Sequence, residues 1–217
     1  MSIFFVIAYG SILSPLIPLG VAALQWSRMS ADISSIRWVL VLAFIADILM
    51  IVLGKLHIHN LWVGDVFMFI QFTVLLYIFS RQFDQKKPFA IVYGAIVTFY
   101  LACLIFLDTE HTLVPLVGSN AVDGLVLIIV SIVFFYKLLN ELKVVNIHRL
   151  PILWIAFGTL FYYSGNLFVF LAANYLVHDH PDTLNKFWIL HNILNITKNI
   201  FFAIALWQSY RIVKSST

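Results

Sequence analysis

Charge is what this sequence holds least of. Lysine and arginine number 13 and aspartate and glutamate 10 in 217 residues, against 62% hydrophobic residues and a mean hydropathy of +0.98. A soluble domain carries about a quarter of its residues as charges, so a water-soluble globular protein is excluded. Cysteine is nearly absent too. Cys103 stands alone inside an apolar run, which leaves no disulfide framework and no CxxC motif. Neither G-x-S-x-G nor H-E-x-x-H occurs, and Tyr163-Ser164-Gly165 has no base pattern beside it, so these nucleophile and zinc-hydrolase signatures are missing. Met1 and Ser2 lead straight into apolar residues without a basic n-region or a small-residue cleavage site, so no cleavable signal peptide is expected. No internal repeat is visible, and no stretch reads as a fused kinase, nuclease or other soluble catalytic module.

What is present is a series of long apolar runs. They predict an all-α, polytopic membrane protein, a single domain over 1–217 folded as a seven-helix bundle. The expected spans are about 3–24, 36–54, 61–80, 88–107, 119–139, 151–176 and 185–212. Loops one, three and five and the C-terminal tail carry Arg28, Arg81, Lys86, Lys87, Lys143, Arg211 and Lys214, whereas the other loops hold Lys55 as their one clear basic residue. Positive charge stays on the cytoplasmic side, so the N-terminus is expected outside and the C-terminus in the cytoplasm. The net charge of +3 is thereby explained by topology, with the lipid bilayer as partner and no nucleic acid. Trp26, Trp38, Trp62, Trp188 and Trp207 fall near span ends, as an aromatic belt requires.

Polar residues inside the spans are the anomalies. In span seven His191, Asn195, Lys198 and Asn199 share one helix face, so a polar stripe with a cation in it runs down an otherwise apolar helix. An ammonium facing lipid at that depth costs roughly 2.5–3.5 kcal/mol on insertion scales, so Lys198 should face protein. Span two carries Asp47, span three Asp65 and Gln71, and span six Thr159, Tyr162, Tyr163 and Asn166 on one face. Ser14-Pro15-Leu16-Ile17-Pro18 should kink span one, with Ser11 and Ser14 available to the backbone groups the prolines free. Helix rise puts Asp47 about 16 Å and Lys198 about 10 Å from the inner face, a gap of about 6 Å that a lysine chain spans if the helices are neighbours. One reading is a buried Asp47–Lys198 pair acting as a switch or proton relay. The other is structural glue, with Asn195, Asn199 and Asn166.

The histidines form a second pattern. His57, His59, His111, His178 and His180 lie in expected outer loops, with Asp65, Asp108, Glu110, Asp123, Asp179 and Asp182 on the same side. His-x-His pairs beside carboxylates suit zinc or copper, or a sensor that titrates near neutral pH; the candidate ligands are His57, His59, His178, His180 and Asp65. Their spacing matches no strong metal signature. A mid-membrane lysine in a seventh span is also what retinal Schiff-base proteins use. Here the span-three carboxylate, Asp65, is too near the outer end to be level with Lys198, which argues against retinal.

Three segments carry a resemblance: Ile12-Leu13-Ser14-Pro15-Leu16-Ile17-Pro18; Leu150-Pro151-Ile152-Leu153-Trp154-Ile155 with Phe161-Tyr162-Tyr163-Ser164-Gly165-Asn166-Leu167-Phe168; and Ile193-Leu194-Asn195-Ile196-Thr197-Lys198-Asn199-Ile200. Over nearly its whole length the chain resembles a large group of short seven-span proteins of Gram-negative bacteria, often encoded beside sensor histidine kinases. The resemblance implies a bacterial inner-membrane setting and a sensor histidine kinase as partner. Members tend to carry an acidic residue in span two, where Asp47 fits. They often carry His then Glu in span three, where this chain departs with Asp65 and Gln71, so a shared span-three metal or proton site is not implied here.

The expected function is a non-enzymatic sensor or receptor-like protein that binds a small or lipidic ligand within the bundle and signals through a partner. Its site would comprise Asp47, Gln71, Tyr162, Tyr163, Asn166, His191, Asn195, Lys198 and Asn199. The alternative is a metal-dependent membrane hydrolase acting on lipid, with the outer histidines and aspartates as ligands. A transporter or channel needs a continuous polar path, which spans four and five do not offer, and an odd span number argues against a simple inverted repeat.

Overall fold

The computed structural model describes residues 3–24, 31–106, 113–141, 146–179 and 181–215. Every regular element among them is helical: α1 (Ile3–Leu13), α2 (Leu16–Ala23), α3 (Ala31–Lys55), α4 (Leu61–Ser80), α5 (Lys87–Phe106), α6 (Leu113–Glu141), α7 (Pro151–Asp179) and α8 (Pro181–Ser215), with one 3-10 turn at Ile147–Arg149. Among the described residues six stretches are long and apolar enough to cross a membrane: Phe4–Ala23, Ile33–Lys55, Trp62–Ser80, Asn120–Glu141, Pro151–Val169 and Lys186–Arg211. In α5 the apolar part is shorter, Lys87–Ala102. The chain is thus a multi-pass helical membrane protein. The expected span three coincides with α4, while α3, α6, α7 and α8 each extend beyond the apolar run that predicts them.

The prolines account for several boundaries. Pro151 and Pro181 open α7 and α8, and Pro88 and Pro115 fall in the first turns of α5 and α6, where a missing N–H leaves no intrahelical bond unmade. Pro15 and Pro18 instead fall in mid-span and divide the first span into α1 and α2. Pro15 has no N–H to give the Ser11 carbonyl, and both the Ser14 amide (3.1 Å) and the Ser14 hydroxyl (2.6 Å) donate to that oxygen. Pro18 likewise cannot reach the Ser14 carbonyl, which accepts from the Ile17 amide at 3.1 Å. The break is satisfied locally, as membrane interiors demand.

The connection from α3 to α4 is equally specific. Ile58 N–H bonds the Leu53 carbonyl and His57 N–H the Gly54 carbonyl, a Schellman-type cap with His57 in the left-handed position at φ 57°. Asn60 then donates to the Met50 carbonyl at 2.8 Å.

Neighbouring helices close a ring: α2 packs on α3, α3 on α4, α4 on α6, α6 on α7, α7 on α8, and α8 on α1 and α2. The α7–α8 interface is the most extensive. Two glycines permit it. A Cβ on Gly158 would lie 3.0 Å from Phe201 Cβ and 3.3 Å from the Lys198 carbonyl, and one on Gly165 would lie 2.6 Å from Leu194 Cδ1. Because α4 and α6 touch directly, α5 lies outside the ring and leans on both. Lipid-facing positions such as Phe5, Ile45, Val66, Ile91, Ile129 and Phe168 are exposed, as a bilayer-solvated surface requires.

Candidate functional site

Apart from α1 and α2, which form one span, successive helices alternate in direction, so the ring has two ends. At the upper end α1, α4, α6 and α8 begin; at the lower end lie Arg81, Lys86, Lys87, Arg149 and Arg211. The buried polar side chains concentrate in the middle and upper part of the interior.

Lys198 is 3% exposed and lies in that middle. Its Nζ donates to Gln71 Oε1 at 3.1 Å and stands 4.2 Å from the centroid of the Tyr162 ring. Gln71 spends its other end as well, Nε2 donating to the Tyr163 hydroxyl at 2.8 Å. Tyr162 and Tyr163 pack edge to face at 5.0 Å, and both are buried. A desolvated cation–π contact contributes about 2 kcal/mol and a membrane hydrogen bond about 0.6–1.7, close to the roughly 3 kcal/mol that a mid-membrane lysine costs. Gln71 and Tyr162 therefore suffice to hold the ammonium.

Asp47 of α3 is close enough to couple electrostatically with Lys198 and with Tyr162, yet no ion pair within 4.0 Å joins it to the lysine. One of the two sequence readings paired Asp47 with Lys198 and the other made the polar residues structural glue with Asn195, Asn199 and Asn166. The structure gives the bond to Gln71 and leaves Asp47 as a half-buried charge beside it.

The polar face of α8 divides between two neighbours. His191 turns to α7, where its Nδ1 is 2.9 Å from Asn166 Oδ1 and its ring packs against Tyr162 and Trp188. Asn166 also donates to the Tyr162 carbonyl at 2.8 Å. Asn195 and Asn199 turn the other way, to the α1–α2 break: Asn195 Nδ2 donates to Ser11 Oγ at 3.0 Å and Asn199 Nδ2 to Ser14 Oγ at 2.6 Å. Asp47, Gln71, Tyr162, Tyr163, Asn166, His191 and Lys198 thus form one cluster. Asn195 and Asn199 dock α8 onto the first span instead.

The candidate metal ligands fare differently. His57 and His59 are exposed, and His57 also serves the α3 cap through its backbone. Asp65 accepts from Asn120 at 3.1 Å. His111 and His180 and the side chain of His178 lie outside the described residues. Among the described residues no three of His, Cys, Asp and Glu gather as a metal site requires. A cavity of about 620 Å³ lies at the lower end between the α4–α5 connection and α6, lined by Phe83, Phe89, Val130, Tyr136 and Lys137 among others, and does not touch the Lys198 cluster.

Sequence reasoning missed Asn120 and Tyr100, and it read Asp123 only as an outer-side carboxylate. Tyr100 donates to Asp123 at 2.7 Å, and Asn120 and Asp123 are both buried. The i, i+3 spacing of Asn120 and Asp123 in an apolar run is the signal that was available. No family model, curated protein or solved structure matches this chain.

Proposed function

We propose that the chain is a seven-span protein of the bacterial inner membrane, N-terminus outside and C-terminus cytoplasmic, that acts as a sensor or receptor-like subunit. A small or lipidic ligand enters the bundle from the upper end, shifts the Lys198 cluster, and the change passes through the basic lower loops to a partner. The sequence resemblance indicates a sensor histidine kinase as that partner.

One observation carries this reading. Lys198 has two candidate partners and uses one: it is bonded to Gln71 while Asp47, an opposite charge nearby, has no ion pair with it. A switch needs two arrangements of similar free energy, and an ammonium that can pass between an amide and a carboxylate supplies them. A ligand that binds Asp47 or Gln71 biases the choice. The α1–α2 break moves with it, since α8 carries both Lys198 and the two asparagines bonded to Ser11 and Ser14. A polar interior that stops half-way supports a receptor over a channel.

Replacing Lys198 by Met tests the switch. The variant should express and insert normally yet lose ligand-dependent output; a normally expressed Lys198→Met protein with unchanged signalling would remove the idea. The topology is tested in a Cys103→Ala background: a membrane-impermeant maleimide should label His57→Cys in intact cells and leave Gln85→Cys unlabelled. Native mass spectrometry with metal analysis of gently extracted protein separates the two functional readings. A bound small molecule or lipid, or a co-purifying kinase, supports the sensor. Stoichiometric zinc or copper replaces it with the membrane hydrolase.

A further inference from the structure

The groove at the lower end has no part in the Lys198 cluster, and its walls change character along their length. On α6 the residues Ile129, Val130, Val133, Tyr136, Lys137 and Glu141 line it at the spacing of one helix face, over about 18 Å of rise. The first three are apolar. The charges, Lys137 and Glu141, come at the end of the helix, on the side of the bundle where Arg81, Lys86 and Lys87 also lie. The other wall is Phe83 of the α4–α5 connection and Phe89 of the first turn of α5, their rings 5.2 Å apart. Ile129, Val133 and Tyr136 are exposed, so the groove opens on the lipid-facing surface.

Because α5 stands outside the ring, a volume of about 620 Å³ is left between its first turn and α6, within the roughly 300–1,000 Å³ of small-molecule sites. At the charged end the polar groups are incompletely used. Lys137 Nζ donates to the Gln82 carbonyl at 2.6 Å, stands 5.1 Å from the centroid of the Phe83 ring and lies 3.5 Å from Glu141 Oε1. That last separation exceeds the about 2.7–2.9 Å of a charge-assisted hydrogen bond, so the ammonium and the carboxylate each have room for a closer partner. Asp84 lines the same end, and among the described residues no ion pair within 4.0 Å joins it to a lysine or arginine.

We propose that this groove binds one phospholipid with a zwitterionic, primary-amine headgroup: its phosphate on Lys137, its ammonium on Asp84 and Glu141, and an acyl chain along Ile129, Val130 and Val133. The length fits. The hydrocarbon of one leaflet is about 15 Å deep, and the stripe on α6 runs over a comparable depth with its charges at the headgroup end. Charge decides the headgroup. One ammonium and two carboxylates line the groove, so an anionic lipid without an amine would set its phosphate beside two like charges. A choline headgroup carries the compensating charge but has no N–H to give a carboxylate, whereas a primary ammonium has three. Lys86 and Lys87, exposed and close to Asp84 in the chain, add positive charge for the phosphate. The lipid fills the gap between α5 and α6 and ties α5 to the ring. The site is independent of the signalling role proposed for Lys198.

The test is native mass spectrometry of the delipidated full chain in detergent, titrated in turn with phosphatidylethanolamine, phosphatidylcholine and phosphatidylglycerol of the same acyl chains. The primary-amine lipid should bind saturably as one copy, about tenfold more tightly than either of the others, the gain expected from hydrogen bonds to charged groups. Val133→Trp, which fills the apolar part without touching a charge, should abolish that copy, and Lys137→Ala should weaken it about tenfold. Ile129→Trp serves the same purpose where Val133→Trp fails to express. Arg149→Gln, a basic residue at the same end but outside the groove, should leave binding unchanged. Equal, unsaturable binding of the three lipids to the wild-type protein overturns the proposal and leaves the groove part of the ordinary lipid annulus. Preference for phosphatidylglycerol overturns it as well, as does phosphatidylcholine binding as tightly as the primary-amine lipid. Unchanged binding by a folded tryptophan variant would place the lipid elsewhere and remove the site.

Discussion

The upper and lower halves of this bundle are built from the same helices and filled with opposite materials. In the middle and upper interior lie Asp47, Gln71, Asn120, Asp123, Tyr162, Tyr163, Asn166, His191 and Lys198. Towards the lower end the buried residues are Ile36 and Leu40 of α3, Leu75, Ile78 and Phe79 of α4, Phe134 of α6, Ile155 of α7 and Leu206 of α8, all 5% exposed or less. Polar groups there are single hydroxyls such as Ser131, which bonds its own helix at the Leu127 carbonyl. Lipid offers no hydrophobic drive for helices to associate, so the lower half is held by close packing and the upper half by hydrogen bonds. A ligand can compete for hydrogen bonds in one half while the other holds the helices together.

The largest effect should come from moving the charge into the wrong half. Leu206 lies two turns beyond Lys198 in α8 and is fully buried. Leu206→Lys should destabilise the protein by about 3 kcal/mol or more, because the site offers no Gln71 and no Tyr162 ring. Denaturant unfolding in mixed micelles checks it, and a variant as stable as wild type would mean that the lower half is wetter than its packing implies.

Emptying the upper half of its central amide should cost less. Gln71→Leu leaves the Tyr163 hydroxyl and the Lys198 ammonium each without the partner bonded here, a loss of about 1–3 kcal/mol. The same unfolding assay should show Gln71→Glu recovering part of it, since a carboxylate still accepts from Lys198.

Two smaller changes probe the seams. Gly158→Ala should cost about 1 kcal/mol, the low end for overpacking, because Phe201 Cβ and the Lys198 carbonyl cannot retreat independently of α8. Asn199→Ala should cost about 0.6–1 kcal/mol, a membrane hydrogen bond's worth. Hydrogen exchange would find that loss at the α1–α2 break and not at Gln71, if the two faces of α8 are separate.

Much of the fold was legible residue by residue. Hydropathy placed α4 at Leu61–Ser80, and the proline pair placed the division of the first span, because both effects act within a few residues of their cause. The candidate site was legible as faces and not as partners. His191, Asn195, Lys198 and Asn199 form one stripe on a helical wheel, but α8 sits between α7 and the broken first span, and the stripe divides between them. Depth arithmetic put Asp47 about 6 Å from the level of Lys198, within reach of a lysine chain. It could not say that Gln71 would lie closer, because depth along a helix carries no information on which face a neighbour presents. Gly158 and Gly165 read as ordinary glycines until α8 is laid against them.

By itself, then, the sequence determined that this is a helical membrane protein, where its helices run, and that a lysine in the last of them must be sheltered. Those follow from the cost of charge and of unpaired backbone in hydrocarbon, which each segment meets alone. Only the tertiary structure decided that Gln71 and Tyr162 provide the shelter, that Asp47 stands by without an ion pair, and that the polar interior ends half-way. Those depend on the order and rotation of helices around the ring, which close packing chooses collectively.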